Sequence, residues 1–115
     1  MTQEVIFYFS QKIAEARSHG IHDLIIDAGF GFAKNINHNF ELLKNLDKLQ
    51  LLEVPVLTGI SRKSMIYKTL NIPASEALNG TSALHMIALQ NGSQILRVHD
   101  VKEAVECIKL YEALN

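Results

Sequence analysis

The stretch Val54-Pro55-Val56-Leu57-Thr58-Gly59-Ile60-Ser61-Arg62-Lys63-Ser64 decides the fold. Five residues of strand character end at a glycine. A cluster of hydroxyl and cationic side chains then runs straight into the helical pattern of residues 64–70. Pro55 sits near the start of the strand, where its missing N–H is tolerated. The apolar run does not alternate with polar residues, as expected for a strand of a parallel sheet covered on both faces.

The same unit recurs on either side. Upstream, Leu24-Ile25-Ile26 reads as a strand ending at Asp27, followed by a loop over residues 28–37 with Gly29 and Gly31. Downstream, Ile95-Leu96-Arg97-Val98 reads as a third strand, followed by His99 and Asp100. Helical periodicity fills the intervals. Val5, Phe9, Ile13 and Ala16 form one stripe over residues 2–19, and Gly20 stands where that helix stops. Asn37 or His38 is placed to cap a second helix that buries Leu42, Leu43, Leu46 and Leu49. Thr81 is placed to cap a helix through Gln90, ended by Asn91-Gly92. Residues 101–114 form the last helix, with Val101, Ala104, Val105, Ile108 and Tyr111 on one face. The order reads α-β-α-β-α-β-α. Strands alternating with helices imply an α/β fold with parallel pairing through crossovers.

Composition narrows the function classes. The chain has 115 residues, 48% hydrophobic and 20% charged. That is enough apolar material for a packed domain, and too short for more than one at roughly 150 residues each. A net charge of -1 leaves no broad basic surface for nucleic acid and no polybasic strip for a membrane. No apolar run approaches the ~20 residues that span a bilayer. The N-terminal residues lack a signal-peptide layout, so a cytoplasmic setting is the default. The single cysteine, Cys107, cannot form an internal disulfide. No His, Cys or Asp cluster has metal-ligand spacing.

Each strand ends in polar residues that its packing does not require. In parallel α/β folds these ends line the ligand site. Asp27, Lys63 and the Arg97–His99 pair are thereby aimed at a common face. Asp27 has a plain alternative role, capping a turn. Gly29-Phe30-Gly31-Phe32 is neither a dinucleotide fingerprint nor a phosphate-binding Walker loop. It reads as a bent loop with one phenylalanine packed inward and one turned to a ligand. Arg62 and Lys63 oppose the dipole at the start of the following helix, a conflict that a bound anion would relieve, with Ser64 beside it. Arg97 interrupts an apolar strand, where an unpaired charge is costly. His99 follows at i+2, on the same side of an extended chain. Such a set suits a ligand with an anionic end, met by Arg97, His99 and Ser64, and a polar heterocycle, met by Asp27 and Lys63.

At these residues the sequence resembles the dihydropteroate synthase family. The likeness runs through Asp27-Ala28-Gly29-Phe30-Gly31-Phe32-Ala33-Lys34, the Asn-Gly-Thr at 79–81, Gly59-Ile60-Ser61-Arg62-Lys63-Ser64 and Arg97-Val98-His99-Asp100-Val101. Ala28 and Ala33 depart from the proline and glycine common there. The resemblance implies condensation of 6-hydroxymethyl-7,8-dihydropterin pyrophosphate with p-aminobenzoate, giving 7,8-dihydropteroate for folate biosynthesis. It implies that Asp27 holds the aminopyrimidine edge of the pterin and that Lys63 bonds its ring. Arg97 would stack over the pterin and, with His99, hold the leaving pyrophosphate. Ser64 would receive the p-aminobenzoate carboxylate, and Phe32 would wall that pocket. Gly59, Arg62 and Val98 would be near neighbours of the substrate.

The resemblance also implies a partial TIM (β/α)8 barrel, because the whole fold takes about 250 residues. The three strands here match its last three. The magnesium expected for the complete enzyme would take its ligand from the opposite end, outside this chain. Three strands cannot close, so the expected partners are the missing N-terminal part of the barrel or, through the open sheet edges, further copies of this chain. The expected activity of the isolated chain is negligible. The main alternative is a non-catalytic α/β module that binds a phosphorylated ligand or a partner chain. A pterin-binding methyltransferase domain fits the Ser-Arg-Lys-Ser and Arg-Val-His motifs less well.

Overall fold

A computed structural model describes residues 2–31 and 35–115. Eight elements follow one another: α1 (Thr2–Ser18), β1 (Ile26–Asp27), α2 (Ile36–Lys44), β2 (Val56–Thr58), α3 (Ser64–Leu70), α4 (Leu78–Gln90), β3 (Ile95–Leu96) and α5 (Val101–Leu114). Short 3₁₀ segments at Leu46–Leu52 and Ala74–Glu76 complete the two crossovers. The sheet is parallel, in the order β1-β2-β3, with Asp27 opposite Leu57 and Leu57 opposite Ile95. This is the open three-stranded α/β arrangement expected. The second crossover, however, holds two helices, so the alternating order read from the sequence undercounts them by one.

Turn chemistry explains where the helices stop. At the end of α1, Gly20 adopts φ +79° while its N–H reaches Arg17 O and that of Ile21 reaches Ala16 O. This is the paired bonding of a Schellman cap. Asn71, at φ +57°, closes α3 in the same way, with bonds to Lys68 O and from Ile72 to Tyr67 O. At the start of α2 the cap is Asn35, whose side chain accepts from His38 N–H, and not Asn37 or His38. Thr81 lies inside α4 and does not cap it. Its hydroxyl donates to Ala77 O one turn back and accepts the N–H of Arg62, and the helix starts at Leu78, upstream of the expected position.

The core lies between the helices and one face of the sheet. Leu42, Leu43, Leu46 and Leu49 are buried as expected, joined by Phe30, Val56, Ile60, Met65 and Ile66. Ile26 and Val54 bury against Ile13 of α1. The register separates the two faces. Ile26, Val56 and Thr58 point into the core, and Leu96 packs against it. Leu57 and Ile95 lie in the opposite row and are only half-buried, and Ile25 is 57% exposed. The expectation of cover on both faces therefore fails. This second face is the one that a closed barrel turns inward. On α5 the buried residues are Ala104 and Cys107, whereas Val101 and Val105 are exposed. The apolar stripe read from the sequence is thus rotated on that helix.

Candidate functional site

The site forms where the chain leaves β1, β2 and β3. Asp27 ends β1 and Arg97 follows β3 by one residue, so both share the uncovered row with Leu57 and Ile95. Their side chains meet, with Arg97 Nη1 2.6 Å from Asp27 Oδ2. The other carboxylate oxygen, Oδ1, accepts the N–H of Gly29 at 3.0 Å. Asp27 thus caps its turn and binds a cation at once. Burial pushes its carboxyl up. The hydrogen bonds from Arg97 and Gly29 and the charges of Arg97 and Lys63 outweigh that and hold it below the usual carboxylate value. Half exposed, the pair contributes at most about 1 kcal/mol to stability.

Behind the pair, the Arg97 guanidinium lies against Gly59, where any Cβ would overlap Nη2. Lys63 crosses from the β2 loop to the β1 loop and donates from Nζ to Phe30 O at 2.6 Å. Its aliphatic stem runs along Gly31, where a Cβ would stand 3.3 Å from Cδ. His99 turns its Nδ1 to Ser61 Oγ at 2.9 Å, and its backbone N–H donates to the same oxygen. Gly59, Ser61, Lys63, Arg97, Val98 and His99 together line a hollow of about 130 Å³. A larger hollow of about 210 Å³, between α2, α3 and α4, is apolar and holds no ionisable group.

Three described sequence candidates do not line this hollow: Asp27, which is bonded to Arg97 of its wall, Arg62 and Ser64. The Arg62 guanidinium is spent on Asp100, with Nε 2.9 Å from Oδ2, and on the carbonyls of Ala74 and Ser75. That bonding raises the Arg62 pKa and lowers that of Asp100. Arg62 also has φ +54°, a conformation costly for a side-chain-bearing residue and sustained here by its four partners. Ser64, the first residue of α3, opens onto a neighbouring shallow hollow with Asn35, Asn37 and Lys68. Phe32 lies outside the described residues; of the loop's two phenylalanines, Phe30 is packed inward and buried. Ser61 was not among the sequence candidates. No sequence signal set it apart from the charged residues beside it; its burial, at 4% exposed, does.

No group of three or more His, Cys, Asp or Glu side chains among the described residues could hold a metal ion. Nor is any helix among the described residues long and apolar enough to cross a membrane.

Comparison with known proteins identifies the family. The family described as pterin binding enzyme matches residues 1–99. The dihydropteroate synthase of Escherichia coli K12 is 46% identical over 112 residues, covering 96% of this chain and 40% of that protein. The Haemophilus influenzae dihydropteroate synthase is 41% identical, covering 98% and 42% respectively. The crystal structure of the Yersinia pestis dihydropteroate synthase superposes with a TM-score of 0.94 at 42% identity, covering 97% of this chain and 54% of that one. The chain thus spans about two fifths of the length of these curated relatives. With the family model matched over residues 1–99 and relatives 41–46% identical over nearly the whole chain, the chain belongs to the pterin binding enzyme family.

Proposed function

We propose that this chain supplies the pterin-pyrophosphate side of a dihydropteroate synthase active site in folate biosynthesis. One observation carries the reading: the ammonium of Lys63, the guanidinium of Arg97 and the imidazole of His99 come from two successive strand ends to one hollow, and the Asp27 carboxylate from a third is bonded to that guanidinium. Asp27 has acceptor lone pairs for the amidine-like N–H edge of a pterin. Lys63, bridging the β1 and β2 loops, donates to the ring. Arg97, flat against Gly59, offers a plane for stacking and, with His99, donors for a pyrophosphate. Ser64 opens onto the adjoining hollow and is assigned to the p-aminobenzoate carboxylate, and Phe32 to the wall of that pocket.

The reaction is a displacement at the pterin methylene. The p-aminobenzoate nitrogen forms the new C–N bond as the C–O bond breaks, and the electron pair leaves with pyrophosphate. The amine then loses its proton. Positive charge develops at the methylene and negative charge on the leaving group. These side chains therefore act by holding the two reactants together and by neutralising the departing anion.

Arg97→Ala tests this assignment. Calorimetric titration of the chain with inorganic pyrophosphate is expected to show at least a tenfold weaker affinity, on the scale of one lost charge-assisted bond. Unchanged affinity defeats the anion role. Turnover of the isolated chain is expected to be negligible, because the uncovered sheet face leaves the pterin walled on one side only. Product formation by the isolated chain at a rate near that of a whole relative overturns that expectation.

A further inference from the structure

We infer that Ser61 is a positioning residue that fixes the neutral His99 ring with its proton on Nε2, so that His99 meets the ligand as a hydrogen-bond donor. The inference deepens the anion role proposed above and rests on it for the identity of the ligand. It starts from a count of lone pairs and protons. Ser61 is 4% exposed, so its hydroxyl must find its partners within the protein. Its oxygen accepts the backbone N–H of His99 at 3.2 Å. Its proton needs an acceptor, and among the described residues the available one is Nδ1 of His99, at 2.9 Å. A hydroxyl donating to Nδ1 requires that nitrogen to be bare, which leaves the proton of a neutral imidazole on Nε2. Nε2 has no protein partner among the described residues, and the ring lines the hollow that also holds Arg97.

The same two loops are tied by a second rung. Arg62, next to Ser61, grips Asp100, next to His99. Residues 61–62 are thereby locked to residues 99–100 by two side-chain pairs. This explains how an exposed histidine keeps one orientation without being buried. The Arg62–Asp100 rung sets the loop spacing, and the Ser61–His99 rung sets the ring.

Nitrogen-15 NMR of the ligand-free chain, at a pH where His99 is neutral, reads the tautomer directly. Nδ1 is expected to be unprotonated in the native chain, and Ser61→Ala is expected to raise the Nδ1–H population. A native Nδ1–H form, or a tautomer ratio untouched by Ser61→Ala, overturns the inference. Pyrophosphate titrations then form a double-mutant cycle. Ser61→Ala is expected to weaken binding about three- to tenfold in the native background and not at all in His99→Ala. Equal losses in both backgrounds indicate a structural role and overturn the inference. Ser61→Cys, which keeps the volume with a weaker donor, guards against misfolding and is expected to fall between the two. If Ser61→Ala shifts the tautomer but Arg97→Ala leaves pyrophosphate affinity unchanged, the positioning role stands and the proposed function falls.

Discussion

Gly59 is a glycine because Arg97 needs the space. Gly59 does not have a positive φ, and the three atoms nearest an added Cβ all belong to the end of the flexible Arg97 side chain. The expected result is a fold that melts within a few degrees of the native chain while pyrophosphate affinity falls about tenfold, since the guanidinium loses its seat. Calorimetry for both quantities decides it; equal loss of stability and affinity would contradict this account. Asp27 shows the opposite economy, one side chain in two roles. Because its carboxyl is held below the usual value, its stabilising contribution is present at neutral pH and disappears as pH falls through that lowered pKa. Asp27→Asn is expected to abolish pterin binding, yet to leave pyrophosphate affinity equal or up to about fivefold tighter, because Arg97 loses a competing carboxylate. The carriers of charge were legible in the sequence, since a charge at the end of an apolar strand has few structural uses. The Asp27–Arg97 bond was not, because it spans 70 positions and depends on sheet register. Ser61 was invisible for a different reason: a serine beside Arg62 and Lys63 reads as a loop residue until its burial is known.

Helix α4 carries a buried histidine. His85 is 2% exposed and neither ring nitrogen has a partner among the described residues. Burial holds its pKa below the usual histidine value, against a smaller opposing pull from Asp100. A lowered folded-state pKa means that the unfolded chain takes up the proton first. Stability is therefore whole above about pH 6.5 and declines as pH falls below it, by at most about 1.4 kcal/mol per pH unit. His85→Leu is expected to flatten the urea-unfolding midpoint between pH 7 and pH 5; an unchanged slope excludes His85 as its source. One turn earlier, Thr81 serves both its own helix and Arg62. Thr81→Val strands the Arg62 N–H and is expected to cost about 1–3 kcal/mol, measured in the same denaturation experiment. The helices themselves were readable from their apolar spacing, and α3 and α5 fall where expected. Their starts were less so, because Asn35 and Asn37 are equally good caps on paper. The strands came out shorter than their apolar runs, since pairing, not composition, sets strand length.

Taken whole, the molecule is a three-stranded sheet clothed on one side. The edge strands β1 and β3 are two residues long, which limits pairing through the backbone alone. The uncovered row with Ile25 and Leu57 offers the larger drive to associate. Sedimentation is expected to show species heavier than one chain at high micromolar concentration. A chain that stays monomeric there argues that this face tolerates water. Periodicity revealed that the sheet is parallel. It could not reveal the bare face, because strands clothed on one side and strands clothed on both carry the same apolar letters.

Strand order along the sheet repeats strand order along the chain. No strand has to be threaded between two others, so the structure can lengthen by docking new segments at its margins without dismantling what exists. The Asp27–Arg97 couple and the Ser61–His99 rung join the ends of these three strands and the loops that leave them. They would travel intact if the segment were grafted onto another barrel half, arriving as a ready-made half of a binding cleft.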